Sequence, residues 1–176
     1  MRRDSTERIV ILLAMIIAIS GIYFLNSTAH ADTTIVTTQM SDTTSTVELS
    51  TYFGRPIISE YVTDPSVLAG KSIDTITLSL KKVGSPTGTV EVGVFNSDLS
   101  VKQLFGDVNA STLGTSYTTH TFSLTSPQTY QIQSGDRIGI KFTGGDSSNY
   151  IAIMTDQHDS FDGTNSYLSY HYNNSW

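Results

Sequence analysis

Apolar residues recur at every second position along much of this chain, and that period belongs to strands with one face against a core. In "TVEVGVF", Val90, Val92 and Val94 point one way, and Glu91 and Gly93 the other. "SIDTITLSLKK" sets Ile73, Ile76, Leu78 and Leu80 against Thr75, Thr77, Ser79 and Lys81. "DRIGIKF" turns Ile138, Ile140 and Phe142 inward and Arg137 and Lys141 outward. "YTTHTFSL" groups His120 with Phe122 and Leu124, and "STVELS" supplies a first strand. "NYIAIMT" is apolar on both faces, which suits a central strand covered twice. Gly, Pro, Asn, Asp or Ser bounds each run, as in an antiparallel sandwich or barrel. A hairpin or tight connection follows at "GSPTG" (Gly84 to Gly88) and another at "GGDSSN" (Gly144 to Asn149). Only "TDPSVLAGK" carries helix signals, with Asp64 as cap, Pro65 at the first position and Gly70 as stop. No internal repeat and no second domain is visible.

The first 31 residues read differently. "MRRDSTER" is basic, Ile9 to Leu25 is almost wholly apolar, and Ala29-His30-Ala31 is a small-x-small site. That order is a secretory signal peptide cleaved after Ala31. The rival is a retained anchor, but its 17 helical residues reach only about 25 Å, marginal for a bilayer core. The Arg2-Arg3 pair lacks the surroundings of a twin-arginine signal. The expected location is secreted, extracellular or cell-surface. Membrane contact is expected only through the N-terminal segment, if it is uncleaved. Residues 32–46 form a Ser/Thr-rich tail, and residues 47–176 the β domain.

Cleavage leaves seven basic residues against fourteen acidic ones. Such a surface repels a phosphate backbone, so nucleic acid is not an expected partner. The chain has no cysteine, so an exported fold must stand on its core alone. Thiolate metal sites and cysteine nucleophiles are excluded with it.

The pattern "GKSIDTITLSLKKVGSPTGTVEVGVF", then "GDRIGIKF" and "NYIAIMTD", resembles the jelly-roll β-sandwiches of exported surface proteins, such as carbohydrate-binding modules and galactose-binding-like domains. The resemblance spans roughly Val47 to Trp176. It implies an all-β, two-sheet antiparallel sandwich behind an N-terminal signal or anchor helix. It also implies a non-catalytic binding or adhesive role and a structural calcium. Domains of that kind finish with one more strand after a tryptophan placed like Trp176, so the last strand is expected either further along the chain or from another source.

Calcium takes six to eight oxygens, and "DQHDSFDG" offers Asp156, Asp159 and Asp162 as its ligands. The same residues are also ordinary turn formers. No histidine pair has metal-motif spacing, and no GxSxG elbow occurs. The glutamates after the cleavage site, Glu48, Glu60 and Glu91, form no cleft-like pair, so no catalytic residue is named and a hydrolase is not expected. Asn109 and Asn173 stand in glycosylation motifs.

The closing stretch "NSYLSYHYNNSW" offers Leu168, Tyr170 and Tyr172 to the core, and displays Tyr167 and His171 on the other face. Sugar rings stack on aromatic faces while amides take their hydroxyls. Tyr167, His171, Trp176 and Asn165 are therefore the expected glycan contacts. The expected function is an exported, non-catalytic domain that binds glycans or other surface ligands. The alternative is a structural subunit that self-associates by donor-strand exchange through "TTIVTTQMSDTTS".

Overall fold

The computed structural model describes residues 44–156 and 165–176, with the side chains of Thr44 and Asp156 left aside. The signal segment, the tail to Thr43 and the Asp159 and Asp162 positions lie outside the described residues.

Among the described residues, eleven strands follow one another: β1 (Thr44–Leu49), β2 (Ile57–Val62), β3 (Ser72–Ile73), β4 (Thr75–Val83), β5 (Thr89–Phe95), β6 (Val101–Asn109), β7 (Thr118–Ser123), β8 (Tyr130–Gln131), β9 (Arg137–Phe142), β10 (Tyr150–Asp156) and β11 (Ser166–Tyr170). One 3₁₀ turn, Ala110–Thr112, is capped by the Asn109 side chain, which accepts from the Ser111 N–H. The chain is all-β with antiparallel sheets, consistent with a β-sandwich. One sheet has four strands in the order β1-β10-β4-β7; the other has five, β11-β2-β9-β5-β6. β3 and β8 form a small ladder of their own.

The alternating runs place their apolar faces in one shared core. Leu80, Val90, Val92, Val94, Ile140, Phe142 and Ile151 are fully buried in it, and they come from both large sheets. Burial of this kind supplies about 1.5–3 kcal/mol per large aliphatic side chain. β10 lies between β1 and β4, with Ile151 and Ile153 in the core and Ala152 on the outer face. His120 shares the inward face with Phe122, opposite Leu78, and its Nε2 meets the Thr118 hydroxyl at 2.9 Å.

The apolar period marks no strand at β2, β6 or β8. The pairings put the β1–β2 loop, Gly84–Gly88, the Ala110–Tyr117 stretch and Thr143–Asn149 at one end. Asp64, Asp98 and the Ser126–Gly135 stretch stand at the other, while Asp107 lies within β6. "GSPTG" and "GGDSSN" both cross between sheets rather than closing hairpins. "TDPSVLAGK" forms successive turns, with Ser66 N–H donating to the Thr63 carbonyl and Ala69 N–H to that of Ser66, and Gly70 takes the positive φ that ends them.

Two expectations about facing are corrected. Arg137 does sit on the outward face of β9, but it is only 8% exposed because other side chains close over it. Leu168, Tyr170 and Tyr172 are not core residues; they are 42%, 44% and 51% exposed. The cause is sheet width. β11 is a fifth strand beside β2, and the facing sheet is only four strands wide, so among the described residues no strand of that sheet lies opposite the inward side of β11.

Candidate functional site

The residues singled out from the closing stretch separate into different environments. β11 pairs with β2 in the register Tyr167 to Tyr61 and Tyr170 to Ile58, which sends Tyr167, Ser169 and His171 to the outer face of the five-stranded sheet. Tyr167 is exposed there and meets Tyr61 edge-on, with ring centroids 5.3 Å apart. His171 is not displayed; it is 8% exposed, and its Nδ1 has no hydrogen-bond partner. The backbone then turns at Asn173 and Asn174, both with positive φ, and brings Trp176 back over the sheet. Asn165 is half-buried, and its carbonyl accepts from the Thr63 N–H and hydroxyl.

Arg137 is the centre of this outer face. Its guanidinium carbon stands 3.7 Å from the Trp176 ring centroid and 4.3 Å from that of Tyr61. Such stacking attracts a cation to the negative face of each ring. Ser169 Oγ accepts from Arg137 Nη1 at 3.3 Å, while Nε is buried without a partner. Burial lowers the arginine's pKa from its ordinary value, and Tyr61 and Tyr167 oppose that shift. Trp176 is fixed on other sides too: its indole N–H donates to the Ser97 carbonyl at 2.6 Å, and His171 meets it edge-on at 5.4 Å. Beneath lie Ile57 and Phe95, both fully buried outside the shared core cluster. The arrangement closes the face.

At one end a second polar knot ties β6 to the loop before β9. Asp136 is 1% exposed and accepts from Lys102 Nζ at 2.6 Å, the Tyr130 hydroxyl at 2.8 Å and the Gln133 N–H at 2.8 Å. The hydrogen bond to Asp136 raises the Lys102 pKa, and burial raises that of Tyr130. Both groups hold their protons more tightly, the reverse of what a lysine or tyrosine base requires.

A third cluster occupies the outer face of the four-stranded sheet and its β1 edge. Glu48, Ala152 and Lys81 lie in one row across β1, β10 and β4. Arg55, from the β1–β2 loop, brings Nη2 to 3.8 Å from Glu48 Oε2. Its guanidinium also faces the Phe53 ring at 5.5 Å and the Tyr170 ring at 5.9 Å. Phe53 meets both Tyr52 and Tyr150 edge-on at 5.4 Å. Lys81 Nζ stands 4.6 Å from the Tyr117 ring centroid. Burial raises the pKa of Tyr150 first, with Glu48 adding to it through its charge and a hydrogen bond. Gly54 makes the loop: its φ is +66°, and a Cβ there would stand 2.5 Å from Asn173 Oδ1. The closing Asn173 turn thus packs against the loop that carries Arg55.

Sequence reading missed this third cluster. Its members come from β1, β4, β10, β11 and two loops, with no spacing motif to join them. "TYFGR", an aromatic pair followed by glycine and a cation, was the only local signal.

Among the described residues, no group of three His, Cys, Asp or Glu side chains stands close enough to hold a metal ion. The proposed calcium set is another matter: Asp156 ends β10, its side chain is undescribed, and Asp159 and Asp162 lie outside the described residues. Compared with known proteins, the chain matches no family model, no curated protein and no solved structure.

Proposed function

We propose that this chain is an exported, non-catalytic jelly-roll domain that binds glycans or other surface ligands through tyrosines at its β11 edge. The strand orders support the topology. Leaving out β3, β8 and β11, the remaining strands in chain order fall into sheets ordered 1-8-3-6 and 2-7-4-5, the double Greek key of a jelly roll. The observation that carries the binding role is the exposure of Tyr170 and Tyr172 where the closing turn meets the β1–β2 loop, whose Tyr52 is 68% exposed, while Tyr167 is exposed on the opposite face of β11. Scattered exposed apolar residues need no explanation, whereas grouped aromatics mark interaction sites. Tyrosine offers a flat apolar ring with a polar tip, the chemistry that a sugar's C–H face and hydroxyls require. Screening residues 32–176 on a glycan array tests this reading. Retention that Tyr170→Ala and Tyr172→Ala weaken supports it. A chain that retains no glycan overturns it.

One observation favours the assembly reading as well. β1 is an edge strand, and the inward side of β11 overhangs it with Leu168 and Tyr170 exposed. A strand from a second copy, drawn from residues 32–43, would pair with β1 under that overhang. Size-exclusion chromatography with light scattering on residues 32–176 and 44–176 decides this. Polymers that vanish with the tail support exchange, and polymers that persist without it exclude that tail as donor.

A further inference from the structure

The Glu48–Arg55–Lys81 row has a charge that the molecule as a whole does not. The full chain carries ten basic residues against sixteen acidic ones. Here two cations frame one carboxylate, and both cations lie against aromatic rings. The Arg55–Glu48 contact is long at 3.8 Å, and its side chains are 25% and 39% exposed. A pair at that separation and exposure contributes little and exchanges readily for a better partner. Arg55 Nε, moreover, is buried with no partner. Lys81 Nζ rests on the Tyr117 ring, and among the described residues no carboxylate pairs with it. The guanidinium is thus bordered by rings and paired only loosely with its carboxylate neighbour, Glu48.

We infer that the Arg55–Lys81 row, framed by Tyr150, Phe53 and Tyr170, is a subsite for a carboxylate-bearing sugar, a uronic acid unit of an acidic polysaccharide. Resting on the glycan reading, this inference names its substrate class. The guanidinium fork takes a carboxylate through two parallel hydrogen bonds. Lys81 adds a point charge from β4, beyond β10 from the β1 edge, and Tyr170 and Phe53 offer ring faces to the sugar. Glu48 accepts a hydroxyl once Arg55 has turned to the ligand. Arg137, the other ring-stacked arginine, is excluded by its closure: it is 8% exposed, against 25% for the Arg55 side chain.

The experiment is titration calorimetry on residues 32–176 with a galacturonate oligomer and its carboxyl-reduced counterpart, which differ only in the acid group. The uronate oligomer is expected to bind about tenfold tighter, the worth of one charge-assisted hydrogen-bond pair, and to weaken as salt rises. Arg55→Gln and Lys81→Gln should each remove most of that preference and leave the melting temperature within a few degrees. Lys71→Gln, an exposed cation at the opposite end, should change nothing. Equal affinity for the two oligomers overturns the acidic subsite and leaves the glycan reading standing. If neither oligomer binds and a wider array of acidic and neutral glycans is also not retained, both fall together.

Discussion

The two sheets treat the same ingredients in opposite ways. On the outer face of the five-stranded sheet, Arg137 lies between Tyr61 and Trp176, with His171 and Ser169 around it, and the assembly shuts. Around the β1 edge of the four-stranded sheet, Arg55 lies near Phe53 and Tyr170, with Glu48 beside it, and the assembly stays open. The difference comes from what lies above each arginine. Asn173 and Asn174 fold the chain back, and Trp176 becomes a lid over Arg137. Nothing comparable among the described residues lies over Arg55. An arginine against rings is therefore not itself a functional signal; whether its edge meets solvent decides between a fastening and a binding site.

If the five-stranded outer face is a true second packing layer, its buried residues should behave as core. Phe95→Ala is the largest expected effect, about 3–4 kcal/mol of lost stability, close to that of Leu80→Ala in the shared core. A loss under about 1 kcal/mol in urea unfolding would show that the face is merely covered and break the contrast. Asp136→Ala comes next, at about 3 kcal/mol, because it strands Lys102 and the Tyr130 hydroxyl at once. Trp176→Ala follows, at about 2 kcal/mol, for a half-buried ring stacked on a desolvated cation. As the only tryptophan, Trp176 also reports its own release: in the native protein its emission should be blue-shifted and should move to the red when Arg137→Ala removes the stack.

The polar knot gives a pH signature of its own, added to that of Tyr150, whose pKa is also raised by burial. Lys102 has its pKa raised above the ordinary 10.5, so its contribution is complete below that pH and fades as pH climbs through the folded value. Tyr130, raised by burial above the ordinary 10.0, adds loss in the same direction. Thermal stability should therefore fall above about pH 10, and Lys102→Met should flatten that slope. An unchanged slope in the variant would detach the alkaline loss from this knot.

The sequence announced the strands that obey one face each. β4 packs on one side, and β5 and β9 keep the period of their inward valines and isoleucines even though Phe95 and Arg137 are buried on the outer face as well. β2 does not, because Ile57, Ile58 and Ser59 are all buried, one face against the core and the other under the Trp176 segment. Its alternation is erased by the very closure that makes the outer face a second layer. β6 is an edge strand paired only with β5, and two register shifts break its period. The closing aromatics stood out as a group, yet their facing misled, since strand period gives the two sides of β11 but not the width of the sheet opposite. The Glu48–Arg55 cluster was hidden for a related reason: it forms only where the edge of one sheet, a loop and the overhang of the other come together.

The smallest expected effect is the most telling. Tyr170→Ala removes a ring that is 44% exposed and touches Arg55 from 5.9 Å. Its neighbours on β11 stay paired with β2 through backbone hydrogen bonds that the substitution leaves alone. Stability should change by less than about 0.5–1 kcal/mol, although a large aromatic is lost from a strand. Trp176→Ala, which also removes one ring near one arginine, should cost several times as much. A residue whose removal barely disturbs the fold while it keeps an apolar ring in water is held there against the hydrophobic effect. If Tyr170→Ala instead costs as much as Trp176→Ala, the ring belongs to packing, and the open face is as structural as the closed one.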